Sequence, residues 1–146
     1  MSLRQRLLET LSDGEFHSGE ALGAVLGVSR MAVWKHIHSV REAGVEIEVI
    51  RGKGYRLPES VELLDGATIT AAIDPSVADR VGPLHVFHEL DSTNNWLREQ
   101  SLVGAPSGSV CLAEMQHAGR GRRGRQWVSP FAANLYLSLL WRSADG

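Results

Sequence analysis

The chain has 146 residues, 43% of them hydrophobic and 22% charged, with 15 Gly and 5 Pro. Such a chain makes one ordinary globular domain or two small ones, and the figures exclude a disordered, collagenous or disulfide-stapled protein. No apolar run approaches the roughly 18–20 residues of a membrane helix, and Met1–Arg6 lacks a signal peptide's apolar stretch, so a cytoplasmic protein without membrane contact is expected. Cys111 is the single cysteine and no Cys/His spacing resembles a zinc site, so neither an internal disulfide nor a structural metal is expected.

The net charge of −2 is distributed in blocks. Residues 1–59 carry 8 Lys+Arg against 8 Asp+Glu, residues 60–109 carry 2 against 7, and residues 110–146 carry 5 against 2, a balance of 0, −5 and +3. Within the neutral first block, residues 29–56 hold Arg30, Lys35, Arg41, Arg51, Lys53 and Arg56 against only Glu42, Glu46 and Glu48. Two cationic features, this one and Arg120 to Arg125, need separate explanations.

Leu3, Leu7, Leu8 and Leu11 recur at helical spacing, and Asp13-Gly14 ends that helix. Ser18 is placed to cap a second helix, Gly19–Leu26, with Leu22, Val25 and Leu26 on its apolar side and Gly27 suited to a left-handed stop. Ser29 caps a third, about Arg30–Ala43, which turns Val33, Ile37 and Val40 to one face and Arg30, Trp34, Lys35, His38 and Arg41 to the others. Strands Val45–Ile50 and Tyr55–Leu57 follow, joined by Arg51-Gly52-Lys53-Gly54. Two helices about a Gly-Val-Ser turn, followed by a cationic hairpin, are a winged helix-turn-helix. Its candidate DNA contacts are Ser29, Arg30, Val33, Trp34, Lys35 and His38 in the third helix and Arg51 and Lys53 in the wing. A three-helix unit packed against another part of the protein is the alternative. The block's neutrality means that one copy makes few net phosphate contacts, so DNA binding by a dimer is expected.

Leu57-Pro58-Glu59-Ser60 closes this domain, giving expected domains of 1–60 and 61–146. A short helix from Thr68 and a strand Leu84–Leu90 come next, the strand leading into Asp91-Ser92-Thr93-Asn94 at a strand-to-helix junction. There Ser92 or Thr93 serves as a helix cap, and polar side chains at a sheet's end also suit a ligand site. His85 and His88, three apart on a strand, point to opposite faces and are read as structural.

The strongest signal begins where the strand Ser109–Met115 ends: Gln116-His117-Ala118-Gly119-Arg120-Gly121-Arg122-Arg123-Gly124-Arg125-Gln126-Trp127. Its glycines permit positive φ and close backbone approach, and its arginines offer planar, always-charged donors to carboxylate or phosphate. A solvated basic loop and an arginine-glycine nucleic-acid tract compete with this reading. The strand before it, and Asn134–Trp141 after it with Leu135, Leu137, Leu139 and Trp141 alternating against Tyr136, Ser138 and Leu140, favour an ordered anion-binding loop. It lacks the Gly-Lys-Ser/Thr ending of a Walker A loop. Cys111, in an apolar strand, is read as a small buried side chain.

In order, Gly14-Glu15-Phe16-His17-Ser18-Gly19-Glu20, Ser29-Arg30, Gly52-Lys53-Gly54-Tyr55, Asp91-Ser92-Thr93-Asn94, the arginine-glycine loop, Trp127, Ser129-Pro130 and Asn134-Leu135-Tyr136 resemble the bifunctional biotin-protein ligase and biotin operon repressors of bacteria. The resemblance covers the whole chain. It implies an α+β chain: an N-terminal winged helix-turn-helix followed by the first part of a biotin/lipoate ligase-like mixed α/β domain. It further implies biotin and ATP as substrates, Mg2+ accompanying the ATP, biotinyl-5′-AMP as intermediate, and transfer of biotin to a lysine of a biotin carboxyl carrier protein. By the same resemblance, Ser92, Thr93, Asn94, Gln116, Arg120, Gly121, Arg122 and Trp127 hold biotin or its adenylate, and Arg120 and Arg122 are catalytic. Operator DNA is the other partner, bound by a homodimer that the adenylate favours. The family's later Lys-Trp-Pro-Asn-Asp motif is absent, and Lys35 and Lys53 are the only lysines. A truncated ligase-repressor with weak or absent adenylation of its own is therefore expected, favoured over a natural short derivative that kept DNA binding because the last strand has an apolar face without packing neighbours. A DNA-binding regulator sensing another anion is the alternative, and a lipoate-attaching enzyme fits less well.

Overall fold

A computed structural model describes residues 2–119, 121, 125 and 127–143. The chain divides into two compact units, Met1–Leu63 and Leu64–Gly146.

In the first unit, helices α1 (Leu3–Leu11), α2 (Gly19–Leu26) and α3 (Arg30–Glu42) each begin at a serine: the Ser2, Ser18 and Ser29 hydroxyls accept from the N–H groups of Gln5, Ala21 and Ala32. Each cap satisfies one N–H that the first helical turn leaves without a partner. Leu7, Leu8, Leu11, Leu22, Leu26, Val33, Ile37 and Val40 form the core between the helices. Gly27, at φ 71°, turns the chain from α2 toward α3.

Val25 departs from expectation. It is 55% exposed, and Gly23 is buried in its place. The Val28 N–H donates to the Gly23 carbonyl, and a Cβ on Gly23 would lie 2.7 Å from the Val28 oxygen. The turn thus folds onto the Gly23 side of α2, which rotates the buried face away from Val25.

Strands β1 (Glu48–Ile50) and β2 (Gly54–Arg56) pair antiparallel, with Val49 opposite Tyr55. They are shorter than the sequence implies. Val45 and Ile47 are buried but lie before the ladder, anchoring the chain to the core instead of pairing. His17 and Tyr55 exchange two backbone hydrogen bonds of 2.9 Å, so the segment before α2 covers the second edge of β2. That pairing fixes the hairpin on the helical core.

In the second unit, α4 (Gly66–Ala71) precedes strand β3 (Leu84–Phe87), helix α5 (Thr93–Leu102), strand β4 (Val110–Ala113) and strand β5 (Tyr136–Leu139). The sheet order is β3-β4-β5, with β3 parallel and β5 antiparallel to the central β4. The parallel pair requires a crossover, which α5 supplies. All four β4 residues are buried, as a central strand covered on both faces should be. Strand β3 alternates: His85 and Phe87 pack on Trp96 of α5 at ring-centroid distances of 4.7 and 5.1 Å, whereas Leu84 and Val86 lie toward Gly66 of α4. His85 is an aromatic packing partner.

The Cys111 side chain is fully buried, and burial pushes its thiol up to about 11. It should therefore resist a thiol-directed disulfide reagent at pH 8 in the folded chain and react at once in denaturant. Rapid reaction without denaturant would contradict this packing.

Two other positions carry local cost. Ala132 sits at φ 50°, where a Cβ is disfavoured by roughly 1–2 kcal/mol, so Ala132→Gly should raise stability by about 1 kcal/mol in denaturant unfolding. Glu114 is 3% exposed, and its carboxylate accepts the Leu64 backbone N–H. Burial raises its pKa, against the lowering effects of that hydrogen bond and of His88. A raised folded-state pKa means that this group's stabilising contribution is complete below the ordinary carboxylate range and is lost as pH rises through the raised value. Glu114→Gln keeps the acceptor and removes the titration, so thermal melts should show the variant gaining on the native chain as pH rises from 4 to 7. Parallel pH profiles would contradict this.

On β5, Tyr136 is buried, while Leu135, Leu137, Leu139 and Trp141 on the alternate side are 65%, 51%, 54% and 66% exposed. Among the described residues no helix is long and apolar enough to cross a membrane.

Candidate functional site

A pocket of about 400 Å³ opens beside the N-terminus of α5, lined by Ser92, Thr93, Asn94, Gln116, Gly121, Trp127 and the run Leu135–Ser138. Chain topology explains the gathering. Strands β3 and β4 run parallel, so the segments that leave their C-terminal ends, Asp91–Asn94 and Gln116 onward, emerge side by side.

Gln116 is the hub. Its Oε1 accepts the Thr93 N–H at 2.9 Å and the Thr93 hydroxyl at 3.2 Å, and its Nε2 donates to Ser129 Oγ at 3.2 Å. Thr93 Oγ1 also lies 2.9 Å from Ser138 Oγ. A threonine has one hydroxyl proton, and with that proton on Gln116 the Ser138 hydroxyl is the donor to Thr93. Thr93 and Ser129 are each 4% exposed and Gln116 and Ser138 are half-buried, so this network is a partly buried, mutually satisfied polar floor. Ser92 also caps α5, accepting from the Asn95 N–H at 3.4 Å. Ser92 thus both caps α5 and lines the pocket, whereas Thr93, the helix's first residue, lines the pocket without capping it. Asn94 is exposed at the pocket mouth.

The arginine-glycine loop is closed at its base by antiparallel contacts: Trp127 N–H to Gly119 O at 2.9 Å, Gly121 N–H to Arg125 O at 2.7 Å, and Gln116 N–H to Ser129 O at 3.3 Å. Neither Gly119 nor Gly121 has the positive φ expected of the loop glycines. What excludes a side chain at Gly119 is proximity, since a Cβ would meet Ser129 Oγ at 2.8 Å and the Trp127 carbonyl at 3.0 Å. Trp127 lines the pocket and is 60% exposed. Arg125 is exposed. Arg120 and Arg122, the expected catalytic residues, lie outside the described residues.

Sequence reasoning missed Ser129 and Ser138 as members of the polar floor, and Leu135 and Leu137 as part of the apolar wall. Ser138 had a signal: it interrupts an otherwise apolar strand at the alternation position shared with Tyr136.

The first unit carries a second candidate surface. Ser18, Gly19 and Arg30 face Arg51, Gly52, Lys53 and Gly54 across a concavity of about 240 Å³ between the start of α3 and the hairpin tip. Arg30, Trp34, Lys35, His38, Arg51 and Lys53 are all exposed. Trp34 stacks on His38 with ring centroids 5.6 Å apart and planes 2° from parallel, and His38 pairs with Glu42 at 3.4 Å. Lys53 lies over the Phe16 ring, 5.6 Å from its centroid. Val33 must be removed from the expected DNA contacts. It is fully buried in the core against α2, as its position on the face of Ile37 and Val40 requires. Ser29 is exposed, with its hydroxyl engaged in the cap of α3.

Residues 3–56 match a family model described as an HTH domain, and residues 86–146 match the biotin/lipoate A/B protein ligase family. Over 140 residues, 96% of the chain, the sequence is 49% identical to the bifunctional ligase/repressor BirA of Salmonella typhimurium, and over 141 residues it is 48% identical to that of Escherichia coli K12. The chain is thus similar to the bifunctional ligase/repressor proteins of two enteric bacteria. The Bacillus subtilis member is 38% identical over 144 residues. The chain spans 42–43% of the length of these curated relatives. In this chain the HTH match precedes the ligase-family match, and the pocket lies in the second matched region while the cationic concavity lies in the first.

Proposed function

We propose that the protein acts as a biotin-protein ligase that also represses transcription. In this reading Leu64–Gly146 contributes the first part of the ligase catalytic domain and residues 1–63 are the DNA-binding domain. The biotin carboxylate attacks the α-phosphate of ATP to give biotinyl-5′-AMP and release pyrophosphate, a lysine amine of a biotin carboxyl carrier protein then displaces AMP and takes the biotin, and the adenylate-bound homodimer binds operator DNA in the cytoplasm.

The observation that carries this reading is the Thr93–Gln116–Ser129 network beneath an apolar wall. Biotin has a polar ureido ring on an apolar body. Asn94, Gln116 and Ser138 offer donors and acceptors to the first, and Leu135, Leu137 and Trp127 offer surface to the second. The ligand's carboxylate and the α-phosphate of ATP repel each other. Arg120 and Arg122 of the adjoining loop are assigned to hold these anions together and to stabilise charge as the bond to phosphorus forms. Gly121, in contact with Arg125 and lining the pocket, sets where that loop meets the ligand. Mg2+ would enter with the ATP phosphates, which supply much of its coordination, and no step is routed through it.

Calorimetric titration with biotinyl-5′-AMP, lipoyl-5′-AMP and AMP tests the assignment. The biotinyl compound should bind at least tenfold more tightly than either of the others. Equal affinity for the lipoyl and biotinyl compounds would remove biotin from the reading, and tightest binding of AMP alone would favour a regulator that senses another anion.

A further inference from the structure

At 100° per residue, Met31, Trp34 and His38 fall within an arc of roughly 60° on the side of α3 turned away from Val33, Ile37 and Val40. Met31 is 64% and Trp34 52% exposed, and the parallel stack of Trp34 on His38 makes the middle of this arc a flat, largely apolar strip. Exposed Met and Trp side by side on a 13-residue helix need a partner more than a lone exposed leucine does. The charges around the strip identify it: Arg30 and Lys35 flank it on α3, Glu42 at its far end is paired with His38, and Arg51 and Lys53 of the hairpin lie across the concavity from Arg30. An apolar strip with cations on both sides, its one carboxylate paired with His38, matches the floor of a DNA major groove between two phosphate backbones.

The same helix holds no Asn or Gln, the side chains that read adenine by paired hydrogen bonds. That leaves the other major-groove mark of an A·T pair, the 5-methyl group of thymine, which is read by apolar contact of the kind Met31 and Trp34 offer.

We propose that Met31 and Trp34 are specificity-determining residues that recognise thymine 5-methyl groups in the major groove of the bound duplex. This deepens the DNA-binding part of the proposed function and rests on it.

The test begins with the whole chain immobilised densely enough for two copies to engage one duplex, selecting from a pool of randomised 40-base-pair DNA. The selected duplex is then made with thymidine and with deoxyuridine throughout, and both forms are titrated in the same salt. The native chain should bind the deoxyuridine form about fourfold more weakly for each methyl contacted, the factor expected for one buried methyl-sized group. Trp34→Gln and Met31→Gln, both at exposed positions, should each bind the thymidine duplex more weakly and narrow the gap between the two forms, and the double variant should close it. Equal affinity of the native chain for both forms, with selection and salt dependence intact, overturns methyl recognition and leaves DNA binding standing. Variants that keep the full thymidine preference overturn it too, as do variants that lose self-association with no change in preference, since the strip would then be an interface between copies. Failure to select any duplex overturns DNA binding itself.

Discussion

Gly54→Ala is expected to detach the β1–β2 hairpin from the helical core and to abolish duplex binding. Two independent constraints meet at this residue. Its φ is 117°, a backbone region that costs a side chain roughly 1–3 kcal/mol. An alanine Cβ would also be driven into the carbonyl of His17, with Ser18 Cα only 2.8 Å away. These are backbone atoms held by the paired His17–Tyr55 hydrogen bonds, so they cannot swing aside as a side-chain tip would. The strand edge must open. Gly52 is the internal control: at φ 84° it shares the conformational constraint, but a Cβ there meets nothing within 4 Å. Gly52→Ala should cost about 1 kcal/mol. Gly54→Ala should cost about 3 kcal/mol or more, lowering the first unit's melting midpoint by roughly 10–20 °C. Amide hydrogen exchange supplies a local readout: the Tyr55 and His17 N–H groups should lose protection in Gly54→Ala and keep it in Gly52→Ala. Similar protection in both variants would mean that the clash is absorbed elsewhere.

That contrast shows where sequence reading ends. Gly52-Lys53-Gly54 reads as a flexible tip, and both glycines do turn with positive φ. Only the structure separates a glycine needed for backbone conformation alone from one over which a third segment passes. The helices of the first unit were legible because caps and periodicity are local: Ser18 and Ser29 precede two apolar stripes, and Gly27 follows one of them. Val25 and Val33 were misread for opposite reasons. The turn at Gly23 and Val28 fixed how far α2 rotates, which periodicity does not encode. Val33 was counted as a contact because of its place near the start of α3, against its own position on the buried face. In the second unit the strands came out shorter than their apolar runs, because ladder pairing, unlike alternation, depends on a neighbour. The pocket's membership was half legible. Asp91-Ser92-Thr93-Asn94 and Gln116 stand out as polar residues at strand ends. Ser129 and Ser138 reach the same floor through antiparallel return of the chain, at separations of 13 and 45 residues from their partners, where no local pattern marks them.

Gln116→Leu is the variant expected to damage the pocket most. The substitution nearly preserves volume but removes one acceptor and one donor, leaving the Thr93 N–H, the Thr93 hydroxyl and the Ser129 hydroxyl to find new partners on residues that are each 4% exposed. A buried polar group left without a partner costs about 1–3 kcal/mol. The free chain should lose about 2–3 kcal/mol, and affinity for biotinyl-5′-AMP should fall on the order of a hundredfold because the floor loses the geometry that receives a polar ring. Gln116→Glu separates the two roles. It keeps an acceptor for both Thr93 donors and converts the Ser129 contact to one in which serine donates, so the fold should survive while recognition of the ureido ring changes. A double-mutant cycle with Thr93→Val then tests whether the floor acts as a unit. Thr93→Val removes the hydroxyl but keeps the N–H donor and the shape. If the network is cooperative, the combined Gln116→Leu, Thr93→Val variant should be less destabilised than the sum of the two singles by about 1 kcal/mol, because the second change removes a group that the first had orphaned. Strict additivity would mean that Gln116 and Thr93 contribute separately. The pocket floor would then be a set of independent contacts, and the loss of ligand affinity would trace to Gln116 touching the ligand directly.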